Sequence, residues 1–380
     1  MRARSIVQVV ASTLIPGLVA AGALAAQTPA SQSPGQPAPA VTDATTRDST
    51  PKAPAAKAPA SPVTVGGVVY AQYGWAFSDT VARTNNFDVT RAYVNVLGKF
   101  GGGIGGRVTT DVYRVADGSL SIRLKYAYAT WQPEGSPLTF KLGQMHTPWV
   151  DFEETLWGYR MQGTIALDRN GYISSSDFGA GVDGTWANDR VNLQLGVYNG
   201  EGYSKAPGDK RKDVSGRVSV RLLDTDDMSR VGGVRLTAFG QLGTPTGGGI
   251  RNRYIGMLSY HSKLLTLAGE YAVTRDRLDA PPAPATPTAT AVGHVFSGFG
   301  VVRVPRTPVG VMGRVDVVDP NKDVDGDRQT RVIAGVSYQV SPNLRLLGDV
   351  DLLSFQTAPA PASAAALGRN NALAQLELKF

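Results

Sequence analysis

The chain ends in ALAQLELKF (372–380), a stretch in which apolar and polar side chains alternate strictly from Ala374 to the end. Apolar residues fill every second position from Ala374 to Phe380, while Gln375, Glu377 and Lys379 fill the positions between them. Side chains of an extended strand point alternately to its two faces, so a period of two gives one apolar face and one polar face. The end of the chain is therefore predicted to form an amphipathic β-strand.

The same period of two recurs from Val63 onward, in segments of about ten residues separated by turn residues. Segment 69–77 has valine, alanine and aromatic side chains on one face, with tyrosine, glutamine and glycine on the other. Segments 214–222 and 344–352 set aliphatic side chains against serine, arginine or aspartate. Each segment is therefore predicted to be a strand with one apolar and one polar face.

The connections between these segments fall into two length classes. Short turns are predicted at 101–103, 133–137, 187–190, 261–264, 305–308 and 341–343. Longer polar or Pro-rich loops are predicted near 145–177, 200–212, 276–290, 319–329 and 356–369. One rim of tight turns and one rim of long loops is typical of bacterial outer-membrane barrels. We therefore predict an all-β fold, a transmembrane antiparallel β-barrel of about sixteen strands.

A soluble β-sandwich is the alternative fold, because its strands also alternate, with the apolar face packed into a core. The terminal strand favours the barrel. A last strand that ends in Phe380 resembles the signal that outer-membrane proteins present to the barrel assembly machinery. That machinery, outer-membrane lipid and lipopolysaccharide are therefore the expected partners, and the bacterial outer membrane is the expected location.

The composition excludes several classes of function. The 380 residues contain no cysteine, which removes thiol catalysis and thiolate metal sites. The net charge of +7 falls by two, to +5, when a leader containing Arg2 and Arg4 is removed. A charge this small and this dispersed does not indicate nucleic-acid binding.

The N-terminal region predicts export. Residues 1–26 have a basic start, a short apolar stretch and the small-residue site Ala23-Leu24-Ala25, as in a secretory signal peptide. A single membrane anchor is the alternative. Residues 27–62 are rich in Pro and Ala and cannot bury enough apolar surface to offset ordering, so a disordered linker is predicted. This linker is either a periplasmic spacer or an inert tail, and the barrel follows at 63–380.

The polar face of the predicted wall carries an excess of cations. With the apolar set of each strand placed toward lipid, thirteen basic residues face inward: Arg91, Arg107, Arg123, Lys125, Lys141, Arg217, Arg221, Arg235, Arg303, Arg314, Arg331, Arg345 and Lys379. Seven acids join them: Asp111, Asp183, Glu270, Asp316, Asp349, Asp351 and Glu377. A water-filled lumen with this excess should attract anions, because a low-dielectric wall focuses the field. Pairing of these charges across neighbouring strands is the alternative.

The longest predicted loop, 145–177, combines aromatic and charged side chains. Its residues of interest are His146, Trp149, Asp151, Phe152, Glu153, Glu154, Trp157, Tyr159, Arg160 and Arg169. A solvated loop would rarely contain four aromatic side chains, so we expect this loop to fold inward and narrow the pore. Arg160 and Arg169 are the candidate residues of the constriction. Packing against a neighbouring protomer is the alternative.

Five segments of the chain together suggest a family. They are VTRAYVNVLGKF (89–100), LKYAYATW (124–131), FKLGQMHTPWVDFEE (140–154), GVYNGEGYS (196–204) and GVSYQVSPNLRLL (335–347). In this order they resemble the phosphate-selective porin O and P family. The resemblance implies a sixteen-stranded, homotrimeric outer-membrane channel with basic residues along its pore, Arg91 and Lys125 among them. The chain departs from the family pattern at His146, where a basic residue commonly precedes Thr-Pro, and in the acidic residues of its longest loop.

Other functions have weaker support in the sequence. Residues 319–327 resemble a calcium loop, but Val332 replaces the bidentate glutamate, so an acidic external loop is favoured over divalent-ion binding. An outer-membrane hydrolase would need an activated serine, and only His146 is a candidate base. We predict a channel with no catalytic residue, metal or cofactor. A general non-specific porin and a plugged barrel acting as a surface protein remain open.

Overall fold

The computed structural model describes residues 62–115, 117–206, 208–279, 289–360 and 363–380. The predicted signal peptide (1–26) and the predicted linker, apart from its last residue, lie outside these residues. The strands are β1 (Val63–Ala76), β2 (Asn85–Lys99), β3 (Ile104–Arg114), β4 (Leu120–Trp131), β5 (Leu138–His146), β6 (Ser176–Trp186), β7 (Val191–Tyr198), β8 (Asp213–Leu223), β9 (Gly233–Leu242), β10 (Gly249–His261), β11 (Leu265–Leu278), β12 (Ala291–Arg303), β13 (Val309–Asp319), β14 (Gln329–Ser341), β15 (Leu344–Phe355) and β16 (Asn370–Lys379).

These strands form one closed barrel in which each strand pairs antiparallel with its neighbours in sequence and β1 pairs with β16. The predicted antiparallel barrel of about sixteen strands is confirmed. At the closure Val69 lies opposite Leu378, and the backbone of Gly67 bonds to that of Phe380. A Cβ atom on Gly67 would overlap the Phe380 ring, so a larger residue at this position would require that ring to move.

The connections alternate between two rims. The rim that holds the start of β1 and the end of β16 carries short turns after β2, β4, β6, β10, β12 and β14. The opposite rim carries the longer segments that follow β5, β7, β11, β13 and β15. These positions agree with the predicted turns and loops to within a few residues. The connection after β8 differs, because it spans 224–232 although it lies on the rim of short turns.

Three short helices accompany the strands in the described part of the chain. Two of them, α1 (Val150–Trp157) and α2 (Ala166–Arg169), lie in the segment 147–175 between β5 and β6, and α3 (Ala364–Leu367) lies between β15 and β16. Among the described residues, no helix is long and apolar enough to cross a membrane. The segment 147–175, with its two helices, is named the inserted loop below.

One side of the barrel interior is apolar. The inserted loop contributes Trp149, Phe152, Leu156 and Trp157, each at most 1% exposed. They belong to one buried cluster with inward side chains of β9 to β15, namely Phe239, Ile255, Met257, Ala272, Val295, Phe299, Val301, Met312, Val318, Ile333 and Leu347. The expectation that every second position of these strands faces water is therefore not met, since the inserted loop covers them.

Candidate channel and its constriction

The inserted loop follows β5, which ends at His146. Its first helix packs against the inward faces of the strands on the opposite side of the barrel, β8 to β15, called the far wall below. The Trp149 ring centroid lies 5.7 Å from that of Phe239 on β9. The Trp157 ring meets Phe299 on β12 edge to face at 5.2 Å. Aromatic pairs at these separations add to the stability that their burial provides. The aromatic residues of the loop therefore explain its position inside the barrel.

Cations of the far wall hold the inserted loop by its backbone carbonyl groups. Arg217 Nε donates to the Pro148 carbonyl at 2.9 Å. Arg345 Nη2 donates to the Gly158 carbonyl at 2.6 Å, and Arg314 Nη1 to the carbonyl of Thr164 at 3.4 Å. These arginines were predicted to line the channel. The structure places them between the wall and the loop.

The other side of the lumen, beside β1 to β5, contains a cavity of about 240 Å³. Its lining combines wall residues with residues of the inserted loop, including Tyr93, Arg107, Lys125, His146, Asp151, Glu154 and Arg160. The structure therefore brings two predicted channel cations, Arg107 and Lys125, together with four predicted loop residues. Trp149 and Glu153 face the apolar side of the same helix.

Arg107 and Lys125 are the wall cations of this cavity. Arg107 donates to Asn95 at 2.8 Å and lies 3.3 Å from His146 Nε2. Lys125 is 5% exposed, donates to the Tyr93 hydroxyl at 3.3 Å and lies 4.6 Å from the centroid of that ring. In the part of the chain that the structure describes, neither cation has a carboxylate within 4.0 Å.

The wall cations around this pair have acidic partners. Arg91 and Arg123 both bond to Asp111, at 2.8 and 2.9 Å, and the Asp111 side chain is fully buried. Lys141 forms an ion pair with Asp183 on the adjacent strand. Pairing across strands, the alternative interpretation of the inward charges, therefore describes these three cations.

Glu154 and the two arginines of the inserted loop also have partners of opposite charge. Glu154 binds Arg160 at 2.8 Å and accepts a hydrogen bond from Thr164. Arg169 lies 3.7 Å from Asp351 on β15, away from the cavity. Of the two arginines proposed for the constriction, the structure places Arg160 at the cavity and Arg169 on the other side.

Asp151 is held from two directions. Its carboxylate lies 3.6 Å from His146 Nε2 and 2.6 Å from Arg230 Nη2. Burial acts to raise the pKa of Asp151, but the neighbouring His146 and Arg230, with the hydrogen bond from Arg230, outweigh it and hold that pKa well below its ordinary value. Arg230 belongs to the connection 224–232, which the sequence analysis did not single out. The sequence feature that points to this residue is the length of its connection: it has nine residues, several of them charged, on a rim where the other connections are short.

A second group of acids lies under the inserted loop. Glu153 accepts a hydrogen bond from the Trp149 indole at 2.8 Å, and its carboxyl group meets that of Glu270 on β11. Arg314 and Asp316, bonded at 2.7 Å, lie against the same pair. Burial raises the pKa of Glu153 above its usual range. This group links α1 to β11 and β13.

The remaining predicted wall cations lie near the rim of short turns or close to β15. Arg221 donates to the carbonyl groups of Met228 and Ser229, at 3.2 and 3.0 Å, within the connection 224–232. Arg235 donates to the carbonyl of Gly232 at 2.9 Å. Arg331 pairs with Asp351 at 2.5 Å. Arg253 on β10, which was not among the predicted wall cations, is 3% exposed and pairs with Asp276 at 2.8 Å.

The sites considered for other functions have different neighbours. His146 stacks on Tyr126 with ring centroids 3.9 Å apart and contacts Arg107, so arginine and tyrosine surround the candidate base. In the calcium-like segment Asp319 pairs with Arg328 at 3.2 Å. The described residues contain no group of three or more His, Cys, Asp or Glu side chains placed to hold a metal ion.

The barrel is similar to solved outer-membrane porins. It matches Salmonella typhi OmpF in complex with daunomycin at a TM-score of 0.61 and 13% identity, over 84% of this chain and 97% of that chain. A loop L8 deletion mutant of OmpT from Vibrio cholerae matches at 0.58 and 12%, over 84% and 99%. A mutant of the Rh. blastica porin matches at 0.55 and 12%, over 84% and 100%. The fold is therefore that of the porins.

The family is indicated by the sequence itself. The model described as phosphate-selective porin O and P matches residues 64–226, which confirms the predicted resemblance over that part of the chain. A comparison with curated protein sequences found no match. Together, these comparisons show that the chain has the fold of bacterial outer-membrane porins and that residues 64–226 resemble the phosphate-selective porin O and P family.

Proposed function

We propose that this porin is a diffusion channel with a preference for anions, and that phosphate or polyphosphate is among its solutes. The observation that carries the proposal is the pair of wall cations Arg107 and Lys125, which share one cavity and have no carboxylate partner among the described residues. The acids of the same cavity, Asp151 and Glu154, each have an arginine partner. The charge left over is positive.

The surroundings of the two cations favour an anion over water alone. Lys125 is almost fully buried, and tyrosine rings lie within 6 Å of its ammonium group, so the ammonium group has lost most of its hydration. A charge in a low-dielectric wall acts more strongly on a passing ion than it does in bulk water. An anion at this place would meet a guanidinium and an ammonium group at once.

Phosphate suits this pair of donors because its several oxygens can accept from both groups. Guanidinium groups match phosphate geometry in a bidentate manner, and ammonium groups bind it as point charges. The description of the matching family also names phosphate. A general, non-specific porin would show the same fold, so phosphate selectivity rests on the cavity and on the family description.

The proposal includes the route to the membrane and the assembly. Residues 1–26 would be removed on export, 27–62 would form the linker and 63–380 the barrel, with Phe380 as the signal to the assembly machinery. A homotrimer is the expected form, because OmpT of Vibrio cholerae was solved in a trimer form and has a similar fold. It matches at a TM-score of 0.54 and 11% identity, over 84% of this chain and 99% of that chain. Contact with lipopolysaccharide is expected from the location in the outer membrane.

Reversal potentials of the purified protein in planar lipid bilayers test the proposal. In a potassium chloride gradient, the reversal potential of the wild type should show chloride more permeant than potassium, and added phosphate should reduce the chloride current. Lys125→Gln should lower the anion-to-cation permeability ratio by about twofold to fivefold, because it removes one of two unpaired charges. Lys99→Gln is the matched control, since Lys99 is exposed at the end of β2.

The alternatives give different results in the same measurement. A steady current without ion preference would indicate a general porin and contradict the anion proposal. No current from a correctly folded barrel would indicate a plugged surface protein. Lipid hydrolysis by such a closed barrel, lost in His146→Ala, would indicate the hydrolase.

A further inference from the structure

The connection 224–232 enters the lumen from the rim of short turns. Val231 is 2% exposed and belongs to the buried cluster that contains Trp149. Thr225 donates to the His261 carbonyl at 2.6 Å, which fixes the start of the connection to β10. Together with the bonds from Arg221, these contacts hold the connection in a defined position.

From this connection, Arg230 reaches the first helix of the inserted loop. Its Nη2 atom lies 2.6 Å from Asp151 Oδ2, 2.9 Å from the Asp151 carbonyl oxygen and 2.8 Å from Thr155 Oγ1. Two segments that start on opposite rims of the barrel therefore meet at the cavity. The Arg230 side chain is 38% exposed, so it also contacts the aqueous lumen.

Asp151 needs this partner because it is ionised at neutral pH. Its pKa lies well below the ordinary value, since the neighbouring His146 and Arg230, with the hydrogen bond from Arg230, outweigh the effect of burial. Its carboxylate lines the same cavity as Arg107 and Lys125. Without a counter-charge, this carboxylate would offset one of the two unpaired wall cations.

We infer that Arg230 is a selectivity-determining residue of the channel, because it neutralises Asp151 and leaves Arg107 and Lys125 as the net charge of the cavity. The inference rests on the proposed function, since it concerns the ions that pass. It assigns a role in selectivity to the β8–β9 connection, on the rim opposite the inserted loop. The site is therefore built from three parts of the chain: the wall, the inserted loop and this connection.

Four charge variants in planar bilayers test the inference. Arg230→Gln should lower the anion-to-cation permeability ratio by about twofold to fivefold, because it leaves the Asp151 carboxylate uncompensated. Asp151→Asn should shift the ratio the other way. The double variant, which removes one charge of each sign, should return close to the wild type. Arg230→Lys keeps the charge and should stay near the wild-type ratio.

Arg190→Gln is the matched control, because Arg190 lies on a neighbouring turn of the same rim and pairs with Asp224 at 2.8 Å. It should leave the ratio unchanged. Heat-modifiable migration in gels shows that each barrel is folded. An unchanged ratio in folded Arg230→Gln, or equal shifts in Arg190→Gln and Arg230→Gln, would overturn the role of Arg230. No current from the wild type would overturn the channel proposal as well, whereas a nonselective wild type with opposite shifts in the two single variants would overturn only the anion preference.

Discussion

The two sides of the lumen use the same residue types for different purposes. Beside β8 to β15, the buried Arg217 and the partly buried Arg345 point inward and bond to carbonyl groups of the inserted loop. Beside β1 to β5, Arg107 and Lys125 lie at a cavity with no acidic partner among the described residues. An inward cation therefore binds the loop where the loop covers the wall. Under the proposed function, it acts on solutes where the loop leaves space.

This difference depends on the apolar residues of the inserted loop. Trp157 and Leu156 are buried against β12 and its neighbours, while Asp151 and Glu154 of the same helix line the cavity. The helix is therefore amphipathic, and its apolar and charged faces point to opposite sides of the lumen. Its apolar face fills one side of the barrel interior, and its charged face borders the cavity on the other side.

The largest expected effect comes from removing the packing that separates the two sides. Trp157 is fully buried and meets Phe299 at 5.2 Å, so Trp157→Ala should lower the free energy of unfolding by about 3–5 kcal/mol. Conductance should also rise, because the loop loses its hold on the far wall. Thermal unfolding in detergent, followed by gel migration, and single-channel recording measure the two effects.

Trp131→Ala is the matched control for this variant. Trp131 is 51% exposed at the end of β4 on the outer surface, so the loss of stability should be much smaller. Equal losses in the two tryptophan variants would contradict the idea that the inserted loop provides a core for the barrel.

A pair of arginine variants would sharpen the comparison directly. Arg217 is 4% exposed and donates to Pro148 and Asn192, so Arg217→Gln should lower the free energy of unfolding by about 1–3 kcal/mol. Arg107→Gln should lower it by less than about 0.5 kcal/mol, because Arg107 is only half-buried. Arg107→Gln should instead shift the reversal potential in the direction that indicates greater cation permeability. If the two variants changed stability and selectivity alike, the division of the lumen would be wrong.

Much of this arrangement follows from sequence periodicity, and some of it does not. A period of two fixes the face of Arg217 and of Arg107 alike, because neighbouring side chains in a strand point in opposite directions. It does not fix what each side chain meets. Pro148 contacts Arg217 across 69 residues of sequence, and such a contact depends on the closed barrel and on the length of the loop.

The apolar interior left a trace in the sequence. The middle of strand β10 has Tyr254 and Leu258 on its outer face and Ile255 and Met257 on its inner face, so it is apolar on both faces. The same holds for β12, with Phe296 outside and Val295 inside. Strands with two apolar faces are buried on both sides or face lipid on one side and protein on the other. The weak alternation between apolar and polar residues in these strands therefore indicates that the inserted loop covers this part of the barrel wall.

The smallest expected effect is a dependence of stability on pH through Glu153. Burial raises its pKa from 4.5 to about 7, so the folded protein binds more protons than the unfolded chain between these values. Stability should therefore fall as the pH rises from 4.5 to 7 and stay low above 7. Glu270, Arg314 and Asp316 lie against the Glu153 carboxyl group, and we expect a change of only a few degrees in melting temperature.

Glu153→Gln should remove this part of the pH dependence, because the amide does not titrate. Glu134→Gln, at an exposed position of the turn after β4, is the control and should keep the wild-type profile. The measurement is the melting temperature of each protein from pH 4 to pH 9 in detergent. A Glu153→Gln profile parallel to that of the wild type would show that titration of the carboxyl pair does not change the stability of the contact between the inserted loop and the far wall. That contact would then depend on packing alone.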